Sequence, residues 1–224
     1  MKFAYPEISG VFEVYKPYAN TLVIENQKLF SALLRDIYLG ICGMETGCVL
    51  SLQNTPVSMA KHCELISSFV DLDLNRKPLL NKIMAGLEEK ALEPQNYTET
   101  MQLLSDIENS IDKWAFDFPC DIVSSKITVA NMLKSVGLEL RQEYSGINAL
   151  GEKLLDYMEL VREFERDKLF VLVGLRSYLP DDAAERFLNS VVAHEFHVML
   201  IDSRDHPRLS AERRITVDED LCEF

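Results

Sequence analysis

The chain is 224 residues long, 47% of its residues are hydrophobic, and its formal net charge is −13. This length suits one substantial hydrophobic core and a smaller appended unit. No run of about 18 uncharged apolar residues is present, which argues against a membrane span, and the first residues lack the apolar stretch of a signal peptide, so we expect a cytoplasmic protein. Five cysteines at scattered spacing, without a Cys-x-x-Cys pair, favour inert thiols over disulfides or a structural zinc site.

The two ends of the chain predict an α/β core. Short β-branched or apolar runs alternate with segments whose apolar residues recur at helical spacing. Such alternation is typical of a mostly parallel sheet that is covered on both faces. The core elements are predicted as strands at 21–26, 49–52, 168–175, 197–202 and 215–217, and as helices at 27–41, 147–164 and 181–193.

The middle of the chain predicts helices alone. Pro78 suits the first turn of one helix, and Asn96 with Glu99 three residues later resembles the N-cap of a second. A third helix is predicted over 128–136, ending before Gly137. The sequence therefore predicts an α/β head formed by residues 1–70 and 138–224, with a helical leg at 71–137 inserted into it.

The sequence contains no motif for catalysis. The first core strand runs into its helix through Glu25-Asn26-Gln27 without a glycine, which suits a phosphate cradle poorly. Asp202, at the end of an apolar strand, has the position of a magnesium-holding acid, but such a residue is more often a cap or an ion-pair partner. His194 and His197, three residues apart with no third ligand, make a poor metal site. We expect no enzyme activity, and a nucleotide-binding enzyme with a degenerate phosphate loop is the alternative.

The charge distribution argues, by itself, against a nucleic-acid partner. Residues 1–60 carry 4 basic and 5 acidic side chains, residues 61–160 carry 10 and 17, and residues 161–224 carry 9 and 14. DNA is a dense polyanion, and no segment of this chain is net basic. Any DNA contact therefore requires a local patch of basic side chains that the fold or an assembly brings together.

One pair of acids has the spacing of a cation site. Asp117 and Asp121 lie four residues apart in a segment broken by Pro119, so their carboxylates can converge on a hard cation. A solvated acidic surface is the alternative interpretation of the pair.

A family resemblance covers nearly the whole chain. It is carried by 21–26, by Asn-Arg-Lys-Pro at 75–78, by Asp117 with Asp121, by the block at 127–140 and by 168–173. In this order the segments resemble the spacer-acquisition protein of type II-A CRISPR systems, the Csn-two family in its short form. The block at 127–140 is the most specific of them.

The resemblance implies a function as well as a fold. It implies a head related to P-loop ATPases without their phosphate loop, and a ring-shaped homotetramer whose lysine-lined lumen binds duplex DNA, preferentially at ends. It also implies calcium ions that stabilise the leg, and as partners the two CRISPR integrase subunits and the effector nuclease.

The resemblance also assigns residues. Asp117 and Asp121 match the family's calcium-binding acids, although Phe118-Pro119-Cys120 replaces a more acidic stretch between them. The basic residues on or beside the leg, which are the candidates for DNA contact, are Lys77, Lys82, Lys126, Lys134 and Arg141. An acidic scaffold that binds only proteins stays open as a third hypothesis.

Overall fold

The structure is a computed structural model that describes residues 1–9, 12–14, 18–123, 125–166 and 168–224. It divides into two compact units, which we call the sheet unit (residues 1–72 and 142–224) and the helical unit (residues 73–141). The strands are β1 Lys2–Ala4, β2 Phe12–Glu13, β3 Ala19–Ile24, β4 Val49–Leu52, β5 Thr55–Pro56, β6 Cys63–Ile66, β7 Leu169–Val173, β8 His197–Asp202 and β9 Glu212–Val217. The helices are α1 Gln27–Ile41, α2 Met59–His62, α3 Lys77–Leu92, α4 Pro94–Ala115, α5 Val129–Val136, α6 Ala149–Phe164 and α7 Asp181–Ala193.

The sheet unit is built on five parallel strands in the order β6-β7-β8-β3-β9. β3 and β8 are buried along their whole length, as apolar strands in the centre of a covered sheet must be. A second, antiparallel sheet has the order β2-β1-β4-β5. The predicted α/β class with a parallel sheet is confirmed. In the described part of the chain, no helix is long and apolar enough to span a bilayer.

Helices cover both faces of the parallel sheet. On one face, α1 buries Leu33 and Ile37 in a core shared with Leu22 and Ile201 of the sheet and Leu50 of the antiparallel sheet. On the other face lie α6 and α7: the Tyr157 hydroxyl of α6 donates a hydrogen bond to Glu64 of β6, and α7 packs on β3.

The predicted N-cap of the second leg helix is wrong. The helix α4 begins at Pro94, and Glu93 precedes it in an extended conformation with ψ of 148°. Proline fits the first turn of a helix because the N–H that it lacks has no partner there. The Asn96 side chain instead donates to the Lys90 carbonyl at 2.7 Å, which closes the turn between α3 and α4.

The connection from β8 to β9 crosses β3 without a helix. Residues 203–211 must run from the carboxyl edge of the sheet back to its amino edge, a path that usually takes a crossover of a dozen or more residues. Two buried arginines fix this loop. Arg176, with a side chain only 3% exposed, donates through both Nη atoms to the Pro207 carbonyl at 3.3 Å.

Arg214 holds the second half of the same loop. Its side chain is 2% exposed and donates to both carboxylate oxygens of Glu212, at 2.7 and 2.9 Å, and to the carboxylate of Asp205. The Glu212 side chain, also 2% exposed, accepts a hydrogen bond from the Leu209 amide at 3.1 Å. The buried ion pair of Arg214 and Glu212 therefore holds this loop in place, whereas a crossover helix would be held by apolar packing.

Replacing Arg214 by methionine should destabilise the sheet unit by about 3–5 kcal/mol, because it leaves the Glu212 carboxylate buried without its partner. Glu212→Gln added to Arg214→Met should recover at least half of that loss, since glutamine is uncharged and still accepts from the Leu209 amide. Urea unfolding of the two variants measures both effects. Equal losses in the single and double variants would contradict a buried charge as the cause.

Candidate nucleic-acid interface

The N-terminus of α1, which follows the central strand β3, has the position of a phosphate-binding site. Two of its amides are already bonded: the Asn26 side chain accepts from the Lys28 and Leu29 amides at 3.1 and 3.0 Å. The chain's last residues also reach this point. Glu25 N–H donates to the Val217 carbonyl at 2.9 Å, and Asn26 Nδ2 donates to the Glu219 carbonyl at 2.8 Å. The Lys28 and Leu29 amides, which could otherwise bind a phosphate, are therefore bonded within the chain.

Asp202 ends β8 beside Val23 of β3, as a magnesium-holding acid would. It is 2% exposed, and its Oδ2 atom has no hydrogen-bond partner among the described residues. Burial raises the pKa of this carboxyl to about 6, an effect that Arg176 and two further arginines oppose only in part. Within the described residues, the Oδ2 atom therefore gives no support to the cap or ion-pair role that is more common for an acid at a strand end.

The two histidines of the sequence analysis do not meet at a metal site. His194 Nδ1 lies 2.7 Å from a carboxylate oxygen of Glu159 on α6, and His197 is buried as the first residue of β8. Over the described ranges, no three His, Cys, Asp or Glu side chains are grouped so as to hold a metal ion.

The helical unit brings its two ends together. Asn75, just before α3, donates from Nδ2 to the Leu140 carbonyl at 3.1 Å and accepts from the Leu140 amide at 2.6 Å. The Asp73 carboxylate fixes the Asn75 backbone by accepting from its amide at 2.9 Å. Arg76 and Lys77 follow Asn75, and Arg141 follows Leu140, so the bonds between Asn75 and Leu140 bring these basic residues near one another.

The third helix is fixed to the other two. Thr128 caps α5 by accepting from the Asn131 amide at 3.2 Å, and α5 packs on α3. The Ile127 amide donates to Glu108 of α4 at 2.9 Å. Lys126 and Lys134 are thereby held on a segment that contacts both longer helices.

These contacts bring together two segments, far apart in sequence, that carry basic residues. The segments 76–82 and 126–141 carry six basic side chains and one acidic side chain, whereas residues 83–125 between them carry two basic and nine acidic ones. The six form what we call the basic patch: Arg76, Lys77, Lys82, Lys126, Lys134 and Arg141. All five predicted DNA-contact residues belong to it, and all five are exposed.

Arg76 is the member that the sequence analysis missed. It is the half-buried residue that precedes α3, next to the predicted contact residue Lys77. The run Arg76-Lys77 was visible as a signal, but only the Asn75–Leu140 bonds show that it lies beside Arg141.

The predicted calcium acids lie just beyond α4. Asp117 and Asp121 are both exposed, in a segment that begins with a turn closed by the Phe118 amide, which donates to the Ala115 carbonyl at 3.1 Å. No third acidic, histidine or cysteine side chain of the described residues joins them in a metal-binding group. The calcium site stays a prediction.

The fold and the patch define an α/β protein with an inserted helical unit that collects its cations at the two ends of the insertion. The family model of the CRISPR-associated protein (Cas_Csn2) matches residues 43–221, and the chain belongs to this family. The predicted resemblance is thereby confirmed, and it gives the protein a CRISPR-associated role in defence.

A solved structure supports the fold. The crystal structure of Stu0660 of Streptococcus thermophilus is similar to this chain with a TM-score of 0.51 and 14% sequence identity, over 92% of this chain and 69% of that one. At this identity the likeness concerns the fold alone. No curated protein matches the chain.

The buried Asp202 carboxyl gives the protein a characteristic pH dependence. Its pKa in the folded state, about 6, lies above the ordinary value, so the folded protein holds this proton more tightly than the unfolded chain does. The stabilising effect is complete below about pH 4 and is lost as the pH rises through 6.

Between pH 4 and pH 7.5, the wild type should therefore lose about 2–3 kcal/mol more stability than Asp202→Asn. Unfolding free energies measured across this range test the prediction, with the exposed residue changed in Asp106→Asn as the matched control. Parallel pH profiles for the wild type and Asp202→Asn would contradict it.

Proposed function

We propose that the protein is a non-catalytic, ring-forming homotetramer that binds double-stranded DNA during CRISPR spacer acquisition in the cytoplasm. It binds without regard to sequence, prefers DNA ends, and is stabilised by calcium. Its protein partners are the CRISPR integrase subunits and the effector nuclease. The observation that supports this proposal most directly is the basic patch, which gathers six cations in a protein of net charge −13.

Symmetry explains how so acidic a protein binds a polyanion. One patch of six cations makes a weak DNA site beside a large negative charge. A closed ring of four copies repeats the patch four times around one axis, so that cations from all four copies face one duplex while the acids of residues 83–125 lie outside the patch. Phosphate contacts of this kind carry no sequence information, which accounts for binding to any duplex.

The sheet unit is in our proposal a relative of the P-loop ATPases that has lost the phosphate loop. The N-terminus of α1 is capped by Asn26 and bonded to residues 217 and 219, which supports a structural role for it. A nucleotide-binding enzyme is the second candidate function, and the buried, unpartnered Asp202 beside β3 is the observation that favours it. The bonded α1 amides weigh against that candidate.

DNA binding should depend on the patch and on topology. A linear duplex should bind with a slope of log K against log[salt] of about −5 to −9, as expected for roughly 6–10 phosphate contacts. A covalently closed circle of equal length should bind poorly, because a ring threads only onto an end. Fluorescence anisotropy with increasing NaCl measures both quantities.

Charge-reversal variants inside and outside the basic patch show whether DNA binding depends on the patch itself or only on the net charge of the protein. Lys126→Glu with Lys134→Glu should weaken binding about tenfold or more for all sequences alike, with the tetramer intact by light scattering. Lys90→Glu with Lys113→Glu makes the same charge change in the acidic segment 83–125 and should weaken binding much less. Equal losses in the two double variants, or a monomer that binds circles as well as linear DNA, would refute the ring.

Calcium should raise the melting temperature through Asp117 and Asp121. Binding to the native state alone adds about 2.7 kcal/mol when the free ion is at 100 times its Kd. Asp117→Ala with Asp121→Ala should remove most of this increase, whereas Glu89→Ala with Glu99→Ala, at two exposed acids of the same unit, should keep it. A calcium response that is unchanged in the first double variant would leave these two acids as solvated surface.

A further inference from the structure

Five apolar side chains are exposed within ten residues at the end of α4. Trp114 is 70% exposed, Phe116 88%, Phe118 59%, Ile122 47% and Val123 91%. We call residues 114–123 the aromatic segment. The same helix turns other apolar residues inward, since Leu104 is buried and Ile107 and Ile111 are half-buried. The helix α4 therefore has a buried apolar face, and the five exposed side chains lie outside that face.

The exposed apolar surface is large for one short segment. An aromatic side chain offers about 150–250 Å² of surface, so the three aromatic residues alone present roughly 400 Å² at these exposures. The largest apolar patch on a typical soluble monomer measures about 300–600 Å² in total and is often functional. Aromatic residues also supply a large share of the binding energy at protein interfaces. The segment has the composition of a docking surface.

Charge decides what docks there. Asp112, Asp117 and Asp121 are exposed in and beside the segment, and Lys113 is the single cation among residues 108–125. A second copy of this segment would place like charges together, and DNA or an anionic membrane would be repelled in the same way. A cation, in contrast, is attracted both by the carboxylates and by the faces of the aromatic rings.

We propose that the aromatic segment is a docking surface for a basic, amphipathic segment of a partner protein. Apolar side chains of the partner cover Trp114, Phe116 and Phe118, and its arginine and lysine side chains pair with Asp117 and Asp121, so that the partner and the proposed calcium ion compete for these two carboxylates. The surface lies on residues 114–123, outside the basic patch, so this proposal does not depend on DNA binding by the patch.

The only tryptophan of the chain is Trp114, so its fluorescence reports on this surface directly. The experiment titrates the full-length protein in EDTA with an 18-residue amphipathic helical peptide of leucine, lysine and arginine, which has no fluorescence of its own. We expect the Trp114 emission to shift to shorter wavelength and its quenching by acrylamide to fall as the peptide binds. Raising the NaCl concentration should weaken the binding.

Variants identify the surface. Phe116→Ala with Phe118→Ala should weaken peptide binding at least about tenfold, as for hot-spot residues. Asp117→Asn with Asp121→Asn should weaken it severalfold and flatten its salt dependence. Tyr97→Ala with Leu103→Ala, at two exposed apolar positions earlier on α4, is the matched control and should bind like the wild type. All six positions are exposed, and circular dichroism checks that each variant folds.

Four results would overturn the proposal. The first is no change in Trp114 emission with the basic peptide. The second is an equal change with a peptide in which glutamate replaces every lysine and arginine. The third is the same change with phosphatidylglycerol vesicles, which would assign the surface to a membrane. The fourth is an emission that shifts with protein concentration alone, which would assign it to a second copy of the chain.

Discussion

The buried ion pair of Arg214 and Glu212 supports the arrangement of the whole carboxyl-terminal part of the sheet unit. Because β8 and β9 are parallel and β3 lies between them, the loop at 203–211 must cross the sheet face. Polar contacts from two arginines replace the apolar packing of a crossover helix there. They set β9 beside β3, and β9 in turn delivers residues 217 and 219 to the start of α1. The arginine contacts of the loop thus also position the carbonyl groups that bond to Glu25 and Asn26.

Such a cluster carries a cost that the surrounding structure offsets. Buried charges are stable only when each is paired and hydrogen-bonded, and here Arg214 and Glu212 satisfy each other while the loop's backbone satisfies the rest. Not every polar atom of these surroundings is satisfied, because Asp202 Oδ2, Arg176 Nε and His206 Nε2 are buried without a hydrogen-bond partner among the described residues. Burial raises the pKa of the Asp202 carboxyl to about 6, so this group keeps its proton to a higher pH than a solvated carboxyl does.

Much of the sheet unit could be predicted from the sequence. The helices α1 and α7 and the strands β4 and β8 have the predicted limits, because periodicity and flanking residues agree there. The strand β6 and most of the antiparallel sheet were missed, since strands of two to four residues give a weak pattern, which was sufficient only for β4. At the interface, each basic residue was visible in the sequence. Their convergence was not, because it depends on bonds between Asn75 and Leu140, 65 positions apart.

That same pair of bonds bears on how the chain folds. β6 and β7 are neighbours in the sheet, yet residues 67–168 lie between them, and closing so long a loop is entropically costly and slow. If the helical unit folds first, the Asn75–Leu140 clamp ties the two ends of the insertion together. Only residues 67–74 and 141–168 then separate the two strands outside the clamp, and each halving of the effective loop lowers the closure cost by about 0.6 kcal/mol. An asparagine side chain at the base of the insertion thereby makes a distant strand pairing behave as a more local one.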